Sequence, residues 1–370
     1  MRLNQTKQKP FSLPHILLLI LLLLVIGAII WLFAGQKKGN PAYESTSLVM
    51  GTYMQQTIYG SGGEEAAAAA SQAVANLENR ISWRKEDSDI AKLNANAGKD
   101  WITVDDSTLS MLEQCLDVAE QSNGAYDPTI LPLSSLWDFG GENQHLPDRD
   151  EVERFASYVD YQILRIDMEQ KEASLKNSLY ALDLGGAGKG AACDAAVQSY
   201  GQSGVSCAIV AVGGSVGVYG QKPDRTDWRV AIRNPFQNLE EQQNASMGTL
   251  DIHSGFVSTS GLYEKYFEQD GKLYHHILDP GTGYPVDNDL VSVTVVCDSG
   301  ALSDMLSTAC FVLGWEGSQE LLTHYNAGAV FIYKNKDVAV TENLKDRLTI
   351  TAGDYALLSK TDKDSSVDKS

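Results

Sequence analysis

A chain of 370 residues, 43% of them apolar and only ten of them proline, is long enough for a membrane anchor plus one large domain or two medium ones. Its formal net charge of −19 is unevenly spread: the first forty residues hold Arg2, Lys7, Lys9, Lys37 and Lys38 and no acid, which leaves 24 basic and 48 acidic residues in the remaining 330. So acidic a body excludes nucleic-acid binding by phosphate neutralisation and argues against adhesion to anionic lipid, so membrane attachment would fall to the N-terminus.

Ile16 to Ala34 is a run of 19 residues without a formal charge. As a helix it spans roughly 28 Å, close to the hydrocarbon thickness of a bilayer. It is longer than the apolar core of a cleaved signal, and neither a small-x-small cleavage site nor a lipid-accepting cysteine follows it. The expectation is a single-pass anchor over 16–34 with residues 1–15 in the cytoplasm, a polar linker over 35–46, and the folded part at the outer face of the cell membrane. Arg2, Lys7 and Lys9 against Lys37 and Lys38 bias the orientation only modestly. A cleaved signal peptide is the competing reading.

Ser47 to Tyr59 alternates as a first strand, and the alanine-rich Glu64 to Arg80 is a strong helix. Thr108 to Ser122 is amphipathic, with Leu109, Leu112, Leu116 and Ala119 on one face and Gly124 just past its end. Cys207 to Val212 reads as a buried strand entering Gly213-Gly214. Val216–Tyr219, Trp228–Ile232, Thr249–Ile252, Phe256–Ser258, Leu290–Cys297 and Ala329–Tyr333 are further strands, and Gly190–Tyr200 and Ala301–Leu313 are helices. Residues 351–370 read as a partly disordered polar tail. Five cysteines without CxxC spacing read as core packing. The mixture predicts an α+β fold with a largely antiparallel sheet over residues 47–350.

Four segments have the makings of a site. LDLGGAGKG (Leu182 to Gly190) ends a strand at Asp183 and opens a helix through a glycine turn containing Lys189. Glycines, helix N-terminal N–H groups and a lysine suit a pyrophosphate, although the spacing is neither a Walker A loop nor GxGxxG. YHHILDPGTGYPV (Tyr274 to Val286) carries His275 and His276, which a strand would turn to opposite faces, so only one can serve a site. ALSDMLSTACFVLG (Ala301 to Gly314) sets Asp304 and Thr308 one turn apart with Ser307 beside them, a hard-oxygen set better suited to Mg²⁺ than to zinc. GAYDPT (Gly124 to Thr129) is an Asp-Pro turn after a helix. Each segment alone has an ordinary structural explanation: punctuation, a strand edge, a helix cap or a helix stop.

In order, and joined by MGTY (Met50 to Tyr53), SWRKEDSDIAKLN (Ser82 to Asn94), WDFG (Trp137 to Gly140), VGG (Val212 to Gly214) and STSGLYEKYF (Ser258 to Phe267), these segments resemble the ApbE family, the FAD:protein FMN transferases. The resemblance covers residues 47 to 345 and implies a T-fold-like domain. It implies a metal, Mg²⁺ or Mn²⁺, at Asp304, Ser307 and Thr308, with a backbone oxygen near Gly186. It implies FAD as substrate, held by Met50, Trp83, Ala125, Tyr126, Asp127, Asp183, Lys189, Gly190 and Ile277. His276 matches the histidine considered catalytic, with Asp279 as the nearby alternative base. Trp83 stands where tyrosine is common, and Ala187-Gly188 where Ile-Ala is common.

The implied reaction attaches FMN to a Ser or Thr hydroxyl of an acceptor protein and releases AMP. The implied partners are extracytoplasmic redox proteins with a Ser/Thr flavinylation motif. Two alternatives share the same residues: an FAD pyrophosphatase that yields FMN and AMP, and a non-catalytic surface flavin carrier.

Overall fold

The computed structural model describes residues 42–236 and 245–358, so the predicted anchor at 16–34 lies outside the described residues. Among the described residues, no helix is long and apolar enough to cross a membrane.

The alternating stretch read as one strand folds back on itself. Tyr43–Val49 (β1) and Thr52–Tyr59 (β2) pair antiparallel, with Leu48 opposite Tyr53. Met50 and Gly51 make the two-residue turn with φ of 49° and 71°, the left-handed pair that matches the twist of a hairpin. Met50 is a non-glycine residue at positive φ and carries no turn signal, so the alternation runs on through the break. β1 also begins inside the segment expected to be linker.

These strands start a nine-stranded sheet whose spatial order follows the chain. It continues through Cys207–Val212 (β3), Ser215–Tyr219 (β4), Gly255–Gly261 (β5), Leu290–Cys297 (β6), Gly328–Tyr333 (β7), Asp337–Val340 (β8) and Ala356–Leu357 (β9). Every neighbouring pair is antiparallel except β8 with β9, which places part of the expected tail in the sheet. All eight positions of β6 are buried, as befits a central strand covered on both faces.

The helices are Gly63–Ile81 (α1), Asp89–Ala95 (α2), Asp106–Gln121 (α3), Leu131–Trp137 (α4), Arg149–Ala156 (α5), Gly185–Ser203 (α6) and Gly300–His324 (α7); α1, α3, α6 and α7 supply most of the large core on one face of the sheet, while α4 and α5 pack on each other beside it. In α1 the buried side chains Ala66, Ala70, Val74, Leu77 and Ile81 recur every three or four residues, the stripe of a helix packed on one side. The opposite face carries a smaller sheet of Trp228–Arg233, Ser246–Ile252 and Leu348–Ile350, which packs Val230 and Leu250 against Val257, Val330 and Val338. α6 starts five residues before the predicted Gly190, despite its glycines. α7 runs past Leu313 but kinks there, because Gly314 leaves helical geometry at φ 70° and ψ −176°. All five cysteines are buried and free. A third, aromatic cluster joins Trp137, Phe139, Phe267, Tyr274 and Tyr284 around the Tyr266–Gln269/Lys272–His275 hairpin, and the Trp137 indole N–H donates to the Gly283 carbonyl at 2.9 Å.

Candidate active site

The first turn of α6, the second turn of α7, the β1–β2 turn and the segment after the aromatic hairpin converge on one cleft of about 1100 Å³. That is at the upper edge of the ~300–1,000 Å³ common for small-molecule sites. The entry into α6 is fixed from outside: Asn94 Oδ1 accepts from the Leu182 amide at 2.7 Å, and its Nδ2 donates to the Leu182 carbonyl at 3.0 Å. Asp183 then turns the chain, its Oδ1 accepting from the Gly185 amide at 2.8 Å.

Asp304 lies at the cleft floor with only 2% of its surface exposed. Its Oδ2 accepts from the Gly190 amide at 3.0 Å, and its Oδ1 stands 3.8 Å from Lys189 Nζ. Burial pushes the carboxyl above its usual range, while Lys189 and the backbone amides oppose that shift. The Lys189 stem runs along Gly213, where an added Cβ would stand 3.0 Å from Lys189 Cδ. One turn on, Thr308 Oγ1 donates to the Asp304 carbonyl at 3.3 Å, and Ser307 Oγ does so at 2.8 Å. Ser260 on β5 ties both hydroxyls together, at 2.7 Å from Ser307 and 3.2 Å from Thr308. A Cβ on Gly186 would meet Thr308 Oγ1 at 3.6 Å and the Tyr126 ring at 3.2 Å, so glycine brings bare backbone to this cluster.

The adjacent histidines divide as strand alternation requires. His275 is buried, its Nε2 3.0 Å from the Val286 carbonyl and its ring edge-on to Phe311. His276 lines the cleft, and its Nδ1 is shielded with no protein partner. Burial, followed by the positive charges of Lys189, His275 and Lys265, pushes the His276 pKa down to about 3. Its imidazole is therefore neutral across the ordinary pH range.

Met50, Trp83, Ala125, Tyr126, Asp127, Asp183, Gly186, Lys189, His276, Ile277, Asp304 and Thr308 all line the cleft. Trp83 has the Arg84 guanidinium 3.9 Å above its ring and leaves its indole N–H unpaired. Asp127 also has structural duties: it accepts from the Thr129 amide and hydroxyl and from the Tyr161 amide, at 2.7, 2.6 and 2.9 Å, and burial raises its pKa to about 6. Three expected residues are not part of the cleft lining. Gly190 acts through its amide, Ser307 lies fully buried beneath Thr308, and the Asp279 carboxylate is engaged by the Gly281 amide at 2.9 Å and the Thr282 hydroxyl at 3.1 Å. Ser260, Thr259 and Lys265 line the cleft without having been singled out. Strand alternation through STSG offered the only signal for Ser260.

A buried carboxylate, hydroxyls and nearby backbone form a hard-oxygen donor set that fits Mg²⁺ or Mn²⁺, ions often held by one or two carboxylates plus substrate phosphates. No group of three or more His, Cys, Asp or Glu side chains suited to a metal occurs among the described residues. The donor set thus fits an ion completed by an anionic substrate, and not a closed structural site.

Residues 50–332 match the model of the ApbE family. The chain is 32% identical over 333 residues to an FAD:protein FMN transferase of Treponema pallidum, covering 85% of this chain and 91% of that protein. It is 30% identical to an FAD:protein FMN transferase of Klebsiella pneumoniae, covering 86% and 98%. The crystal structure of the ApbE protein of Thermotoga maritima superposes with a TM-score of 0.76 at 29% identity, covering 83% of this chain and 99% of that one.

Proposed function

The chain belongs to the ApbE family, and from that premise we propose that it moves the FMN half of FAD onto a Ser or Thr hydroxyl of an acceptor protein, forming a phosphoester and releasing AMP. The observation that carries this reading is the gathering of Asp304, Thr308, Lys189, Gly186 and His276 into one cleft of about 1100 Å³.

In the proposed reaction Lys189 and the N–H groups at the start of α6 bind the pyrophosphate oxygens, where helix termini favour anions. A Mg²⁺ or Mn²⁺ ion held by Asp304 and Thr308 with backbone oxygen near Gly186, and Ser307 behind them, would add charge neutralisation and make AMP a better leaving group. Met50 and Trp83 present apolar and aromatic surface to the flavin portion. The acceptor oxygen attacks the FMN phosphorus, the bond to the AMP oxygen breaks, and His276 takes the hydroxyl proton. A pyrophosphate beside Lys189 offsets part of the positive charge that depresses His276 and so returns basicity to it when substrate is bound.

The apolar run 16–34 supports an anchored enzyme whose acceptors are redox proteins outside the cytoplasm. The test is co-expression with a candidate acceptor, followed by intact mass. The acceptor gains one FMN phosphoester with the wild-type enzyme and none with Asp304→Ala. Equal AMP release with and without acceptor would replace this reading with hydrolysis.

A further inference from the structure

Asp194 belongs to none of the segments that identify the site, yet it holds the helix that carries Asp304. It lies four residues after Gly190 on α6, hence on the same face one turn along. Its Oδ1 accepts from the Gly300 amide at 2.8 Å and its Oδ2 from the Ala301 amide at 2.8 Å, with the Ser299 hydroxyl at 3.4 Å. Gly300 and Ala301 are the first two residues of α7, so Asp194 satisfies two of the amides that a helix start leaves without partners. The third is taken by Ser299 Oγ, which accepts from Leu302 at 3.3 Å.

The staple is reciprocal. A carboxylate of α6 caps α7, and Asp304, one turn into α7, accepts from the Gly190 amide of α6. In a regular helix that amide would point to the carbonyl of Gly186. The Gly186 oxygen therefore does not have its intrahelical donor to itself. Between the two carboxylates the backbones touch at Gly190 and Gly300, where a Cβ on Gly300 would stand 3.1 Å from Asp194 Cγ.

We infer that Asp194 is a positioning residue for the oxygen cluster: by capping α7 from α6 it sets where the Asp304 carboxylate lies relative to Lys189, Gly186 and Thr308. The inference rests on reading that cluster as the cation site of the proposed transferase. Asp194→Asn keeps the shape and one acceptor oxygen, but it turns an NH₂ group against one of the two amides and removes the negative charge from the α7 N-terminus.

The experiment titrates Mn²⁺ into the full-length protein with FAD present, reading free Mn²⁺ by electron paramagnetic resonance. FAD affinity without metal and the melting temperature are measured on the same samples. D194N is expected to bind Mn²⁺ about tenfold more weakly, with metal-free FAD affinity within about twofold of wild type. Leu250→Ala, a cavity beneath the smaller sheet on the opposite face, is expected to lower the melting temperature without moving Mn²⁺ affinity. Should D194N fail to fold, Asp194→Ser, smaller and still an acceptor, takes the same measurement. Wild-type Mn²⁺ affinity in the folded Asp194 variant, with Asp304→Ala abolishing binding, overturns the role of Asp194 alone. A wild-type protein that binds no Mn²⁺ overturns the cation-site reading itself.

Discussion

Replacing Gly190 by alanine puts a methyl group where α6 crosses α7. The new Cβ would overlap the Gly300 carbonyl and stand 2.8 Å from Asp304 Cβ, against about 3.5–4.0 Å for unstrained carbon contacts. Backbone, not a flexible side chain, lies on the other side, so the helices must part by about 1 Å. Overpacking of this kind costs about 2–3 kcal/mol, which in a domain of this size lowers the melting temperature by about 3–5 °C. The same displacement pulls Asp304 away from the Gly190 amide and from Lys189, and a misplacement of about 1 Å at a reacting centre costs on the order of 100-fold in rate. Gly201 on the same helix is the internal control: there a Cβ would meet the Tyr219 ring at an ordinary 3.6 Å. Gly201→Ala should be neutral or stabilising by up to about 1 kcal/mol from helix propensity alone. The assays are thermal denaturation by circular dichroism and single-turnover FMN transfer at saturating FAD. A G190A protein that melts within about 2 °C of wild type and transfers FMN within about twofold of its rate would refute the crossing argument.

Burial and nearby cations hold His276 neutral down to about 3, whereas the unfolded chain takes up that proton near 6.5, so stability should fall as pH drops through this window, by up to a few kcal/mol. His276→Gln should flatten that acid limb in urea melts; an unchanged slope would show that another group carries it. Lys189→Met should weaken FAD binding about tenfold and raise the His276 pKa, the first read by flavin fluorescence and the second by histidine NMR. Tyr200→Phe leaves buried Gln56 Oε1 without the hydroxyl that now donates to it at 2.7 Å, which should cost about 1–3 kcal/mol in denaturant titrations while FMN transfer is unchanged.

What the sequence showed depended on whether a signal was local. The stripe of α1 and the valine-rich stretch of β6, with only Ser292 and Thr294 polar, are patterns written along the chain, and both elements lie where those patterns put them. That only one of His275 and His276 can face the cleft followed from strand geometry, whereas the choice of His276 came from the family resemblance. α6 was harder: GGAGKG argues against a helix on propensity, yet Gly186 and Gly190 are needed for close approach to Tyr126, Thr308 and Gly300, and packing prevails. Asp194 acts on residues far away in the chain, so no spacing could reveal it, and for Ser260 strand alternation was the one available signal. Asp279 was the opposite case, a chemically apt residue near His276 whose oxygens serve its own turn. The membership of so many weak segments in one family, visible only from their joint order, supplied what no single segment could.

The spatial order of the large sheet also sets a timetable. β1 and β2 close through a two-residue turn, but β2 pairs next with β3, and residues 60–206 intervene. From β3 onward the strands follow one another at shorter separations, so the later half can assemble largely from nearer neighbours. In a chain that emerges N-terminus first, the opening hairpin is made early and then waits, its inner edge unsatisfied, until the sixth of its register partners, Cys207 to Val212, is complete. Completion of the cleft, which needs Met50 from that hairpin and Asp304 from α7, is thereby among the last events of folding, and a partly made chain holds no finished site.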